Sequence, residues 1–421
     1  MYRLFSSIIL LAIALFLRGC RNITSEATEQ VQGRLLIWHP FEGKEAETLN
    51  SILDNYRELY PKVKIVSEFS PEKKISDQLR QQSQSVLLPI MSQSGLGPDL
   101  LISSFENLIP LIRAEALKTL DDYNLNLSSY LPRSISQVTF DDNLYGLPFA
   151  LSTQVLCYNK TKVEQPLKTL PEMITEAEAE RQIALNSNFL DTLWGMQIFR
   201  SQSKSNPEHK TFDLQAWTHW LEWLRIAQED PNFILANERF TLDQKLAEGK
   251  LAYYVCESEE ISEMQAVLGA DKLGVTTLPG LGNKTAGPLL YTKAIVFNRY
   301  SSNSSIKLAL QLASFLTNKK QQTKLALETE SLIPVNSEVK LDRRLSPIQA
   351  IFLAQSKTAL AVSLDYVYEF NNADKLYGEN YYNLVMAGEM TPQEAALEFE
   401  QRIFELKQKV RQEEASKLGE E

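Results

Sequence analysis

Polar and aromatic side chains recur where predicted strands end, and two tryptophans add flat rings. These candidate residues are Trp38, His39, Phe41, Glu42, Ser104, Glu106, Asn107, Ser152, Thr153, Gln154, Trp194, Glu257, Ser258, Tyr291, Asp365 and Tyr366. Carboxylates and amides bridge neighbouring hydroxyl groups, and aromatic rings cover apolar C–H faces. The set therefore favours binding of a neutral sugar. The alternative is a cap or turn role for each polar residue and core packing for each tryptophan.

Motifs for covalent, metal or nucleotide chemistry do not accompany these residues. The three histidines, His39, His209 and His219, lack the spacing of metal ligands. The sequence GLGNKT at 280–285 lacks the glycine that precedes lysine in a phosphate-binding loop. No G-x-S-x-G elbow is present. Nucleophilic and zinc chemistry are therefore unsupported, and we expect no metal and no cofactor.

Length and charge limit the class of protein. A chain of 421 residues suits two domains, because single hydrophobic cores stop growing near roughly 250–300 residues. The hydrophobic content of 44% and the charged content of 23% are ordinary for a globular protein. The net charge of −10, with no basic cluster, argues against nucleic acid as a partner.

The first twenty residues have the order of an export signal. Arg3 precedes an apolar run at 8–17, which is too short for an ordinary membrane span. The run ends in Leu-Arg-Gly-Cys, which resembles a bacterial lipobox and implies lipidation of Cys20 and a place at the outer face of the membrane. Arg18 departs from the small or apolar residue usual there, so processing stays open, with an uncleaved anchor as the alternative. Residues 21–33 read as a tether.

The elements that must position the candidate residues alternate between strands and helices. Strands at 35–38 and 63–69 flank a helix over 46–59, which is the size of a βαβ unit, and a further helix is predicted at 75–86. Ligands of such open sheets gather at the carboxyl ends of strands. Residues 142–160, DNLYGLPFALSTQVLCYNK, read as a turn entering a buried strand. Because they lie between two α/β regions, they predict a segment that crosses between lobes.

That segment resembles the YGLP…YNK crossover of bacterial extracellular solute-binding proteins that serve sugar ABC importers. Four further stretches resemble family segments in the same order: GPDLLISS at 97–104, LAEGKLAYYVCES at 246–258, SLIPVN at 331–336 and VMAGEMTPQEAALEF at 385–399. By position, Ser104, Glu106 and Asn107 fall where the family places polar ligand contacts. The resemblance covers residues 34 to about 405.

The resemblance implies an α/β chain with the type II periplasmic-binding-protein fold, in which hinge strands join two mixed-sheet lobes around a cleft. Residues 34–147 and 287–338 would form the first lobe, and residues 148–286 and 339–421 the second. The expected function is capture of a sugar for the permease subunits of an ABC importer, without catalysis. We expect a periplasmic or membrane-tethered monomer.

Several alternatives remain at this point. A secreted carbohydrate-active enzyme could use the acidic pairs at 121–122 or 141–142, although solvated turns explain them better. A tethered sensor is another possibility, as is a solute-binding protein for polyamine, iron or glycerol phosphate. Adjacent tyrosines ligate iron in some members of the wider superfamily, but we predict that the pairs at 253–254 and 381–382 pack in the core. The identity of the sugar is open.

Two cysteines remain once Cys20 is set aside. Export permits a disulfide between Cys157 and Cys256. Sequence alone does not show whether their Cα atoms come within bonding range. Both interpretations stay open, and we favour two buried free thiols.

Overall fold

The computed structural model describes residues 31–71, 97–186, 189–200, 213–236, 242, 244–246 and 248–418. The predicted signal peptide with Cys20, most of the tether and the helix predicted at 75–86 lie outside these residues.

The described residues form short strands and helices in alternation. The strands are β1 Gly33–His39, β2 Val63–Phe69, β3 Leu100–Ser104, β4 Thr139–Phe140, β5 Asn143–Leu144, β6 Gly146–Asn159, β7 Ile183–Asn186, β8 Phe233–Ala236, β9 Tyr253–Glu257, β10 Leu273–Thr276, β11 Leu290–Phe297 and β12 Ile333–Pro334. The α-helices are α1 Gly43–Leu59, α2 Leu108–Arg113, α3 Pro132–Ser136, α4 Leu170–Glu178, α5 Phe189–Thr192, α6 Met196–Phe199, α7 Leu214–Ala227, α8 Ile261–Leu268, α9 Asn303–Leu316, α10 Lys319–Thr329, α11 Pro347–Ser356, α12 Leu364–Ala373, α13 Glu379–Met386 and α14 Pro392–Leu418. Turns of 3-10 helix cover Phe105–Asn107, Leu193–Gly195 and Ser258–Glu260, and a π-helical turn covers Asp374–Gly378.

The first lobe is built on strands in the order β2-β1-β3-β11-β6, with β12 also on β6. Strand β1 pairs in parallel with β2 and β3, and β11 is antiparallel to β3 and β6. Leu35 and Ile37 of β1 are buried, as are Leu49 and Ile52 of α1. The predicted βαβ unit at the start of the fold is therefore confirmed.

The second lobe is built on strands in the order β6-β9-β7-β8, with β10 also on β6. Strand β7 is parallel to both β8 and β9, while β9 is antiparallel to β6. The carboxyl ends of β7 and β9 therefore point the same way. Together the two halves make one mixed sheet.

Strand β6 belongs to both halves and crosses between them. Its residues from Gly146 to Thr153 pair with β11, and those from Gln154 to Tyr158 pair with β9. Nearly all of its residues are buried, which explains its continuous apolar character. Strand β6 thus changes partner between Thr153 and Gln154, whereas we predicted the boundary between the lobes after residue 147.

The two cysteines of the second lobe form a disulfide. Cys157 on β6 and Cys256 on β9 are diagonal neighbours on adjacent strands, and their Cα atoms are 5.9 Å apart. Both side chains are fully buried. Our favoured prediction of two free thiols is wrong, because the sequence does not reveal that β6 and β9 are adjacent.

The last helix begins as predicted. Pro392 is the first residue of α14. The Thr391 hydroxyl accepts a hydrogen bond from the Glu394 backbone N–H at 3.2 Å, and Glu394 accepts one from the Thr391 N–H at 2.9 Å. The capping box is therefore confirmed.

Candidate functional site

A row of polar side chains crosses the sheet where β6 changes partners. Strand register pairs Ser104 with Lys293, Tyr291 with Ser152, and Gln154 with Glu257. Opposed residues on neighbouring strands project from one face, and so do residues two apart along a strand. The six side chains therefore share one face and extend from β3 in the first lobe to β9 in the second. All except Lys293 were predicted.

Carboxylates from four elements act electrostatically on the Tyr291 hydroxyl. The pKa of Tyr291 is raised well above its ordinary value, first by burial and then by the charges of Glu106, Glu257, Asp191 and Asp374. Glu106 lies in the 3-10 turn after β3, Glu257 at the end of β9, Asp191 on helix α5 and Asp374 on the π-helical turn. The structure thus brings the predicted Glu106, Glu257 and Tyr291 together and adds two carboxylates that we did not predict.

Asp191 holds two side-chain amides at the end of β7. Its Oδ1 accepts a hydrogen bond from Gln154 Nε2 at 3.4 Å, and its Oδ2 accepts one from Asn186 Nδ2 at 2.6 Å. Gln154 lies on β6, so these bonds connect the hinge strand to the second lobe. Asn186 is the last residue of β7, and the strand-end rule could therefore have found it.

Asp374 is a buried carboxyl on the π-helical turn. Its Oδ1 has no hydrogen-bond partner within the described part of the chain. Burial, followed by the charges of Asp191 and Glu379, raises its pKa to about 7. A Cβ at Gly378 would lie 2.4 Å from this Oδ1, so glycine allows the turn to fold against the carboxyl. The sequence offers no strand-end signal here, because the residue comes from a helix.

Two side-chain contacts span the lobes beside the row. Asn371 Nδ2 donates to Glu106 Oε1 at 3.1 Å. Lys293 Nζ lies 3.2 Å from Glu259 Oε1. Lys293 is only 5% exposed, so the ammonium end of this ion pair between the lobes is largely buried. Its position in the middle of β11 gave no sequence signal.

The candidates at the end of β1 and just after it belong mainly to the first-lobe core. Phe41 is buried against Phe149, with ring centroids 5.7 Å apart. His39 is buried, its Nδ1 accepts from the Phe41 N–H at 3.3 Å, and burial lowers its pKa. Trp38 is half-buried and donates to Glu68 on the neighbouring β2 at 3.0 Å. The exposed Glu42 side chain makes no cap bond at the start of α1.

Other predicted residues have local structural partners. The Thr153 hydroxyl donates to the Leu289 carbonyl at 2.8 Å, and Asn107 Nδ2 donates to Ser103 at 3.1 Å. The exposed Asp365 accepts from the Asp141 N–H at 3.2 Å. The ring of Tyr366 lies under the ammonium of Lys407, at 3.9 Å. Ser258 is the exception, because it is fully buried beside Glu257 and its Oγ has no hydrogen-bond partner among the described residues.

Trp194 offers no exposed ring face. Its side chain is fully buried, and its ring centroid lies 4.8 Å from that of Trp220 on α7. A stacking platform needs a face that a ligand can reach, and core packing is therefore the role that this conformation supports. Trp194 is therefore not among the proposed ligand contacts.

Residues 81–350 match a known family, described as bacterial extracellular solute-binding protein. The match covers more than half of the chain. The chain belongs to this family. The predicted resemblance is therefore confirmed.

Two characterised relatives bind oligosaccharides according to their names. The chain is 30% identical to a maltotriose-binding protein of Pyrococcus abyssi over 152 residues, which are 36% of this chain and 31% of that protein. It is 25% identical to a galactooligosaccharide-binding protein of Bacillus subtilis over 354 residues, which are 77% of this chain and 79% of that protein. The P. abyssi match thus spans about a third of that relative's length.

Solved structures of solute-binding proteins have the same fold. An extracellular solute-binding protein of Staphylococcus aureus, solved in complex with maltose, superposes with a TM-score of 0.67 and 21% identity over 88% of this chain and 97% of that one. The predicted two-lobed periplasmic-binding-protein fold is confirmed. Within the described ranges, no helix is both long and apolar enough to cross a membrane.

Proposed function

We propose that this family member captures a neutral saccharide between its lobes and delivers it, chemically unchanged, to the permease subunits of an ABC importer. The proposed ligand contacts are the row Ser104, Ser152, Gln154, Glu257, Tyr291 and Lys293, together with Glu106, Asn186 and Asp191. The oligosaccharides named for the two relatives guide the choice of ligand class.

One observation carries the proposal. The row of hydroxyl, ammonium, amide and carboxylate side chains passes without interruption from β3 to β9, across the point where β6 leaves one lobe for the other. A ligand that touches the whole row must contact both lobes. Sugar hydroxyls suit such a surface, because each both donates and accepts a hydrogen bond.

The expected mechanism follows from this placement. A ligand that bonds to both lobes binds the closed form more tightly than the open form, so it shifts the population towards closure. The hinge consists of the segments that cross between the lobes, and β6 is one of them. The closed form would dock on the permease, and ATP hydrolysis would take place on other subunits.

We also propose export with a lipid anchor at Cys20, which would hold the protein at the outer face of the membrane. Three acyl chains give stable attachment, whereas a single chain gives only reversible binding. Mass spectrometry of the membrane-extracted protein tests this point. Retention of residues 1–19, or an unmodified Cys20, would overturn it.

A ligand panel tests the proposed function. We would measure thermal shift and calorimetric affinity for maltose, maltotriose and a galactooligosaccharide, with spermidine, ferric citrate and glycerol 3-phosphate as the non-sugar set. We expect a saccharide to raise the melting temperature and the non-sugar compounds to leave it unchanged. Chromatography of the released saccharide should recover it intact.

The other outcomes separate the alternatives. Cleaved saccharide would indicate a carbohydrate-active enzyme. A shift with spermidine alone would indicate a polyamine-binding protein that uses the carboxylates around Tyr291. A protein stabilised by no member of the panel would count against solute capture of these classes.

A further inference from the structure

The amide of Gln154 has one favourable orientation. Its NH₂ group faces the Asp191 carboxylate at 3.4 Å, and the same carboxylate accepts from Asn186 with its other oxygen. The opposite rotation would place the amide oxygen against a carboxylate oxygen, and two acceptors repel each other. Asp191 therefore determines which end of the Gln154 amide points away from it.

The end that points away is an acceptor without a donor. Gln154 is 4% exposed, and its Oε1 has no hydrogen-bond partner among the described residues. A buried, unsatisfied acceptor is costly, and native proteins contain few of them without a functional reason. This conformation is complete only when a donor reaches that oxygen.

The position of Gln154 indicates where the donor comes from. Its register partner is Glu257, and Ser152 lies two residues before it, opposite Tyr291. Gln154 is thus within the row of the proposed site, at the first β6 residue that pairs in the second lobe. By contrast, neighbouring Thr153 projects from the other face and is satisfied by the Leu289 carbonyl.

We propose that Gln154 Oε1 accepts a hydrogen bond from one hydroxyl group of the bound saccharide, and that Asp191 is the positioning residue that aims it. The site then selects a saccharide with a free, donating hydroxyl over the hinge strand, and rejects one in which that hydroxyl is replaced by a group that only accepts. The inference rests on the proposed function and specifies its ligand more closely.

The test uses maltotriose and a series of maltotriose derivatives, each with one hydroxyl replaced by fluorine, which cannot donate a hydrogen bond. If another saccharide of the panel binds better, its fluorinated series takes the same place. For the wild-type protein, we expect at least one derivative to bind about 10-fold more weakly or worse, since the buried acceptor stays unpaired. In Gln154→Leu, the affinities for that derivative and its parent should agree within about threefold.

Three further variants sharpen the result. Asp191→Asn no longer dictates the orientation of the Gln154 amide, so the preference for the parent saccharide over its fluorinated derivative should shrink. The double variant Asp191→Asn/Gln154→Leu should show little further change in that preference. Gln349→Leu is the matched control, because Gln349 is also buried with an unpartnered Oε1 but lies on α11, outside the row. It should keep the wild-type pattern.

The outcomes separate this inference from the proposed function. Saccharide binding with no fluorine-sensitive position in wild type overturns the inference alone, and so does a Gln154→Leu protein that keeps the full wild-type preference. A protein that binds no saccharide overturns the proposed function, and the inference falls with it. Ligand-free Gln154→Leu loses both the unpaired acceptor and the bond to Asp191, so its melting temperature should stay close to that of wild type, which shows that lost selectivity is not misfolding.

Discussion

Removal of the disulfide should destabilise the second lobe by a predictable amount. Cys157 and Cys256 are 99 residues apart in the sequence. For a loop of this length, the chain-entropy treatment gives about 4.7 kcal/mol of stabilisation, mostly through restriction of the unfolded chain. Both side chains are buried, so Cys157→Ala/Cys256→Ala adds no buried polar group. We expect the free energy of unfolding to fall by about 3–5 kcal/mol.

Guanidinium denaturation followed by tryptophan fluorescence measures this change, because Trp194, Trp217 and Trp220 are buried in the second lobe. Wild type treated with a reductant should approach the double variant, and the reductant should leave the variant unchanged. A variant within about 1 kcal/mol of oxidised wild type would refute the reasoning, since the cross-link would then restrict little of the unfolded chain.

Three further predictions concern the hinge and the cleft. Lys293→Met removes the ion pair with Glu259 that joins the lobes. The ligand-free variant should therefore open, and its radius of gyration in X-ray scattering should rise. An unchanged radius in this variant and in Glu259→Gln would contradict the prediction. Burial raises the pKa of Asp374 from 3.8 to about 7, so between these pH values the folded state holds a proton that the unfolded chain releases. As the pH rises from about 4 to about 7, the free energy of unfolding should therefore fall by up to about 4 kcal/mol. Asp374→Asn should remove that part of the pH dependence, and an unaltered slope would refute the assignment. Gln137→Leu breaks bonds to the Leu290 and Val362 carbonyls and to the Thr292 hydroxyl, and should lower the free energy of unfolding by about 3 kcal/mol or more in denaturation.

The fold was predictable because its main signals are local. The continuous apolar run of β6, the βαβ unit at the start and the capping box before α14 each follow from residues close together in sequence. The disulfide was not predictable, because it depends on β6 and β9 being neighbours while their cysteines are 99 residues apart.

The candidate site was predictable in part for the same reason. The rule that polar residues at strand ends meet in a cleft predicted Ser104, Glu106, Ser152, Gln154, Glu257 and Tyr291, which the structure places in the row or beside it. The rule also predicted His39 and Phe41, whose side chains are buried in the core. A shift of one residue in the position of a turn is enough to move such a side chain from the cleft to the core. Lys293 and Asp374 carry no such signal, because one sits within a strand and the other in a π-helical turn.

The double membership of β6 makes the molecule sensitive to a change of length at a single point. A single residue inserted between Thr153 and Gln154 would leave all side chains in place up to Thr153 and invert every later β6 side chain relative to β9. Cys157 would then face away from Cys256, and side chains packed on one side of the sheet would exchange with those packed on the other. Chimeras that graft the second lobe of one relative onto the first lobe of another must therefore preserve the residue count of this strand, whereas loops elsewhere can tolerate insertions.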